Sequence, residues 1–450
     1  MQHIQGISRH QLQMSSLEDK ITADNPVRFI DAFVNHIDAV KIGFQPKILK
    51  TEGRPNFRLE VFLKLYLYGY LNGVRSSRRL EKECFRNIEV QWLLEAIYPN
   101  YHSIADFRKD NPKALKQLFK LFVSFLKDAE LIAGDTIAID GTKSRAHNSK
   151  KANYNQKKID KHKAYIDAKS QEYLDQLEQN DIQENPVVIK NIQQKIEGLK
   201  QNKIKYELLE EELKNSGEPQ ISTTDADARA LLVQGQVVEV SYNIQAAVDS
   251  KHNLVVATHT INRNDKNALA AIALEVKENL ALETFTVLVD KGYHNGRELH
   301  TCKQNNITTI VAVPEQGKSN ENGTQPEYLV SKFIYNKENN SYTCPEGKTL
   351  TTTGSWHKKT GRTEESGYNF QKYRTPACKT CLVKGLCTSR NGGREIDRSQ
   401  YADAVEENHQ RYKDNPQLYR KRQEINEHIF GTIKRKWGYN YTDLVGLEKV

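Results

Sequence analysis

Two short apolar runs in this chain each stop at an aspartate: "TIAID", ending at Asp140, and "TVLVD", ending at Asp290. In the first, Ile137 and Ile139 alternate with smaller residues, as in a strand with a buried face. Gly141 follows Asp140 and lets the backbone turn sharply. An aspartate at such a place is by itself an ordinary turn former. What constrains the fold is where the two runs fall in the order of elements.

That order can be read between residues 131 and 437. After the Asp140 strand, "QVVEVSYNIQAAVDS" places Val238, Val240, Tyr242, Ile244, Ala246 and Val248 on one strand face. "NLVVATHTI" follows after a short turn and makes a hairpin with it. Then come a helix ("KNALAAIALEVKENLAL"), the strand ending in Asp290, a helix ("GRELHTCKQNN"), a strand ("ITTIVAVP") and a last helix from Pro416 to Trp437. Strand, strand, strand, helix, strand, helix, strand, helix is the order of a ribonuclease-H-like α/β fold, a mixed sheet with helices on its faces. First and fourth strands are neighbours in that fold, so Asp140 and Asp290 are expected at one sheet edge. On the last helix Ile425, Ile429 and Ile433 form the buried stripe, and Glu427 beside it is expected to face the two aspartates.

Other segments are set around this core. Residues 1–130 read as a helical N-terminal domain. Val27, Ile30, Val34 and Ile37 form one stripe, "LEVFLKLYLYGYL" is a buried helix, Ser76 and Ser77 are caps, and Asn111 caps a helix striped by Leu115, Leu118, Phe122 and Phe125. Arg75, Arg78 and Arg79 in "VRSSRR" are candidates for DNA contact, or else mark a solvated helix start. Residues 131–150 and 220–315 supply the catalytic core. Between them, 151–219 carries Ile159, Ile166 and Tyr173, then Ile192, Leu199, Tyr206 and Leu213, at seven-residue intervals. Two arms interrupted at Pro186 imply an inserted antiparallel coiled hairpin. Residues 316–410 form a cysteine-rich insertion, and 411–450 return to the core with Glu427.

Composition excludes some classes. At 450 residues the chain exceeds one ordinary core, and its formal net charge of +9 favours a polyanionic partner. Its apolar runs are too short for a membrane span, and "MQHIQGISRHQLQ" lacks the apolar core of a signal peptide. A cytoplasmic protein with reduced or metal-bound cysteines is expected.

Three converging carboxylates repel unless a divalent cation neutralises them, and oxygen donors select hard ions. Asp140, Asp290 and Glu427 are therefore candidate ligands for two Mg2+ (or Mn2+) ions, Asp140 bridging, in an in-line phosphoryl displacement. Cys344, Cys378, Cys381 and Cys387, with one CxxC pair among them, can close a structural tetrahedral zinc site, or else stay reduced without a ligand. Cys84 and Cys302 read as buried. His294 and His428, beside the acids, read as packing or surface residues with a proton-shuttle role as the alternative, and Trp437 as a core residue.

The motifs carry a resemblance. "DGT" at Asp140, "DKGY" at Asp290 and "EHIFGTIK" from Glu427 to Lys434 resemble those of the DDE transposases of bacterial insertion sequences, over nearly the whole chain. The resemblance implies metal-dependent cleavage at element ends and strand transfer into target DNA. It implies double-stranded DNA as partner, a homodimer in the DNA complex and association with the nucleoid. It also implies a Tyr, Arg, Glu, Lys signature on the last helix. Lys434 stands seven residues after Glu427 as required, and with Arg435 and Lys436 would bind phosphates. Tyr419 and Arg422 are each one place out of register, and Arg420 is the substitute phosphate contact. A nuclease of the same fold without strand transfer stays open as an alternative. So does an inactive or truncated DNA-binding relic, since the chain stops soon after the Glu427 helix.

Overall fold

The computed structural model describes residues 7–12, 14–45, 55–181, 186–233, 237–314, 324–361 and 367–450. The chain divides into two compact units: 1–129, 143–243 and 429–450 make the first, and 130–142 with 244–428 the second.

The first unit opens with six helices: α1 (Pro26–His36), α2 (Leu59–Leu71), α3 (Ser77–Arg86), α4 (Ile88–Leu93), α5 (Tyr101–Asp110) and α6 (Pro112–Asp128). One apolar cluster unites the stripe of α1 (Val27, Ile30, Val34) with Leu63 and Leu65 of α2, Leu80 of α3 and Leu118 of α6. Asn25 caps α1 by accepting the Val27 N–H at 3.0 Å. Two expected caps are made differently: neither Ser76 nor Asn111 makes a side-chain cap bond. The Asn111 amide instead donates back to the Phe107 carbonyl at 2.8 Å. Inside α2, Gly69 permits close packing, because a Cβ there would lie 2.5 Å from the Val74 carbonyl oxygen and 2.6 Å from Leu80 Cδ2. Gly69→Ala is expected to destabilise the protein by about 1–3 kcal/mol, since the overlap outweighs the better helix propensity. Urea unfolding of the full chain measures this.

Strand β1 (Thr136–Arg145) enters the first unit at residue 143, and β2 (Asn153–Tyr154) follows it. The expected hairpin is α7 (Gln156–Asp181) and α8 (Pro186–Ser216). Lys163 pairs with Glu210 at 2.9 Å and Lys203 with Asp167 at 2.7 Å, so the arms run antiparallel. Ile159, Ile166, Ile192, Ile196, Leu209 and Leu213 are buried along them. The joint, 182–185, lies outside the described residues. β3 (Ile221–Ser222) pairs with β2, and β4 (Arg229–Val233) pairs antiparallel with the opening of β5 (Val237–Asp249), Arg229 opposite Ser241.

The second unit holds β6 (Val255–Ile261), α9 (Leu269–Leu280), β7 (Phe285–Val289), α10 (Gly296–Gln304) and β8 (Ile307–Val311). Its sheet has the order β6–β5–β1–β7–β8. This mixed α/β layering agrees with the ribonuclease-H-like order read from the sequence. β1 and β7 are parallel neighbours, with Thr136 opposite Thr286 and Ile139 opposite Val289. Strands β9 (Ile334–Asn336), β10 (Ser341–Thr343) and β11 (Thr349–Thr351) form one small sheet. Strands β12 (Trp356–Lys359), β13 (Tyr368–Tyr373) and β14 (Ile396–Ser399) form another, with α11 (Lys384–Cys387) between the last two. α12 (Ala402–Asp414) and α13 (Pro416–Gly431) follow. The α-helix does not continue to Trp437 as expected: a π-helical turn spans Thr432–Lys436.

Candidate active site

The parallel register of β1 and β7 builds the site. Ile139 and Val289 are the last paired residues, so Asp140 and Asp290 are the next residue on each of two adjacent strands. Extending that register by one residue makes Asp140 and Asp290 neighbours, and Asp290 is close enough to act on the Asp140 charge. Each accepts the N–H of its successor: Gly141 to Asp140 Oδ1 at 2.8 Å, Lys291 to Asp290 Oδ1 at 2.7 Å. The chain behaves differently beyond them. Asp290 caps a short 3-10 turn, Lys291–Tyr293, whereas β1 runs on to Arg145, so Asp140 does not end its strand as expected. The extension has partners of its own beyond the β7 pairing, in the first unit: the Ala146 N–H donates to the Val240 carbonyl at 3.0 Å.

Burial pushes the Asp140 carboxyl above its ordinary range, and Asp265 and Asp290 push it the same way. The Gly141 N–H and the Arg422 guanidinium oppose that rise. Arg422, on α13, lies 3.7 Å from Asp140 Oδ2 with its side chain 12% exposed. An acid whose folded pKa is raised favours the folded state while protonated and loses that contribution as pH rises through the raised pKa. Asp140→Asn is therefore expected to be more stable than the parent at neutral pH, with the difference closing on acidification below the ordinary carboxylate range. Paired thermal melts across pH check it.

A third aspartate belongs to the group. Asp265, after β6 and just before α9, accepts the Gln245 side-chain N–H at 2.9 Å. Gln245 in turn accepts a short hydrogen bond from the hydroxyl of Tyr293, which is 1% exposed. Burial, then Asp265 and Asp140, push the Tyr293 phenol well above its usual range, so it stays a donor. Sequence reading passed over Asp265 because an acid before a helix reads as a cap. The available signal was that it occupies another strand-to-helix joint of the core.

The last helix presents different side chains from those expected. Arg422 reaches Asp140, and Tyr419 lies beside Arg422, its ring centroid 5.7 Å from the guanidinium carbon. Arg420, the expected substitute, is exposed, as are Glu427 and His428, while Asn426 is buried. Among the described residues no three His, Cys, Asp or Glu side chains are grouped closely enough to hold a metal ion. Burial lowers the pKa of His294, favouring its neutral ring.

The basic residues of the first unit divide into two kinds. Arg75 is engaged within the protein: it donates to the Tyr441 carbonyl at 2.9 Å, pairs with Asp443 at 3.4 Å and stacks 3.8 Å over the Tyr441 ring. Lys434 donates to the Lys143 carbonyl at 2.8 Å, and burial, then the Lys143 charge, lower its pKa. Arg78 lies over the Tyr101 ring and remains exposed, as do Arg79, Arg435 and Lys436. Cys84 and Cys302 are buried as expected.

An aspartate pair just past the last paired residues of two parallel neighbours in a mixed sheet is an arrangement a DDE-type nucleic-acid enzyme would use. Comparison with known families agrees: a transposase domain family (DUF772) matches residues 15–110, and a transposase DDE domain family matches residues 343–450. The first match covers α1 to α5, and the second contains Arg422 and Glu427. Together the two matches support a DDE transposase of an insertion sequence and indicate a function in transposition. No curated protein and no solved structure matches the chain. Among the described residues no helix is long and apolar enough to cross a membrane.

Proposed function

We propose that the chain cuts DNA at the ends of its element and joins the freed 3′ ends to a target duplex. The observation that carries this reading is the β1–β7 register, which sets Asp140 and Asp290 side by side in a chain with two transposase domains. In hydrolysis a water oxygen bonds to phosphorus, the P–O3′ bond breaks, and the leaving 3′-oxygen takes a proton. In joining, that 3′-hydroxyl gives up its proton and bonds to a target phosphorus, and the target's own 3′-oxygen leaves and takes a proton.

Asp140 is half-buried and flanked by Asp265 and Asp290, so its charge gains from a cation in addition to Arg422. Hard carboxylate oxygens in that setting fit Mg2+ or Mn2+. Asp140 and Asp290 would hold the ions. Glu427 is the third ligand on its motif alone, and as an exposed residue it would have to be drawn in. A bound divalent pair supplies Lewis acidity at the phosphate and lowers the pKa of the attacking hydroxyl. The chain supplies the rest. Tyr293 and Gln245 orient Asp265. Arg422, beside Asp140, would be available to meet a phosphate there, with Tyr419 packed against it. Arg78, Arg79, Arg420, Arg435 and Lys436 are exposed cations that attract the DNA backbone.

In this reading residues 1–130 are the DNA-binding domain, and 131–150, 220–315 and 411–450 make the ribonuclease-H-like core. The hairpin 151–219 and the cysteine-rich segment 316–410 are insertions. A homodimer brings two element ends together in the cytoplasm, on the nucleoid. The test is incubation of the full chain with pre-cleaved element ends, target DNA and Mg2+. Joined products are expected. Cleavage of intact ends without joining would leave a nuclease, and binding with neither reaction would leave a relic.

A further inference from the structure

We propose that the second unit contains a four-cysteine zinc site, formed by Cys344, Cys378, Cys381 and Cys387, that holds its two small sheets together. These thiols come from distant parts of the segment and line one cavity of about 30 Å³, with Phe333 and Arg394 among its walls. Cys344 lies in a tight knuckle, "CPEGK", between β10 and β11. Its N–H donates to the Lys348 carbonyl at 2.9 Å, and the Gly347 N–H donates to its carbonyl at 2.8 Å. Gly347 has φ +72°, which the turn requires and glycine accepts without strain. The Lys348 N–H then points at Cys344 Sγ, 3.3 Å away, as a backbone donor supports a metal-bound thiolate.

The other three cysteines lie around a second turn. Cys378 belongs to the 3-10 turn Pro376–Thr380, Cys381 follows it, and Cys387 ends α11. Gly393, at φ +90°, passes so close to Cys378 that even a Cβ there would overlap it. The Arg394 guanidinium donates to the Cys387 carbonyl at 3.3 Å, which sets a cation beside that thiol. The four cysteines line the same cavity. No three of them are yet drawn in to ligating separation, so binding asks the two turns to close on the ion. A donor set of four soft thiolates selects zinc over the hard ions suited to the aspartates.

The energetic reason lies in the local core, whose buried members among the described residues are Phe333, Tyr342, Leu350, Tyr373, Cys387 and Ile396. A cluster that small does not order a long polar segment unaided, whereas metal binding contributes folding free energy directly. Binding releases a proton from each thiol, so affinity falls as pH falls.

The test is metal analysis of the full-length protein purified under reducing conditions from zinc-supplemented cells, with Co2+ exchange as a second readout. One zinc per chain is expected, with the absorption spectrum of a tetrahedral tetrathiolate after cobalt replacement. C344S and C381S should each lower zinc affinity at least tenfold, while D140N and C84A keep full metal content. Because D140N lacks the proposed catalytic acid, retained zinc in that variant separates this site from the strand-cutting reading. Wild-type protein without zinc and without a thiolate–cobalt spectrum would overturn the proposal even if a serine variant failed to fold. So would full metal content in both serine variants.

Discussion

Asp140→Asn is expected to reduce strand cleavage by at least about 10²–10³-fold, the scale on which one electrostatic stabiliser of a reacting centre acts. DNA binding should stay within a factor of about two, because the proposed phosphate contacts are cationic side chains outside the acid cluster. The substitution removes a charge and leaves the volume nearly unchanged. Asp140 accepts the Gly141 N–H and sits opposite Arg422, and an amide oxygen can still take the first of these roles. The variant should therefore fold, and by the pH argument it should be the more stable protein at neutral pH. Gain in stability with loss of activity is the pattern of a group kept for chemistry against the preference of the fold. A gel assay of nicked ends, run beside a binding titration at fixed salt, separates the two effects.

The largest stability loss is expected from Arg398→Ala. Arg398 is 7% exposed and meets Asp403 and Glu406 on α12, donating to Glu406 Oε2 at 2.9 Å. It also donates to the Tyr342 hydroxyl at 2.9 Å and lies 3.6 Å over the Tyr335 ring. One guanidinium thus ties β14 to β9, β10 and α12. Both acids are about half exposed and can be rehydrated when the arginine is lost. The expected cost is about 2–4 kcal/mol, below the top of the range for a broken buried pair. Arg398→Lys should recover only part of it, because an ammonium cannot serve two carboxylates and an aromatic face together. Thermal melting of the full chain measures both variants.

The sheet was readable in the sequence because its period-two runs are long and its helices lie between them. The first-to-fourth strand adjacency that joins Asp140 to Asp290 followed from element order alone. The rest of the site depends on angles that order does not specify. Whether Arg422 or Arg420 faces Asp140 turns on a rotation of about 100° per residue around α13. Register with Glu427 favoured Arg420, but the helix presents Arg422 and buries Asn426 one turn on. Asp265 was hidden by its likeness to a helix cap. Arg75 looked like a DNA contact because its partners Tyr441 and Asp443 lie at the other end of the chain, beyond the reach of local pattern.

The most direct measurement is a titration of Mn2+ into the full-length protein, with bound ion followed through water-proton relaxation. Saturable binding is predicted that weakens by roughly tenfold or more in D140N and again in D290N, since each loses a first ligand rather than a supporting group. Equal Mn2+ affinity in the parent and in both variants would contradict the assignment of Asp140 and Asp290 as the metal-holding pair.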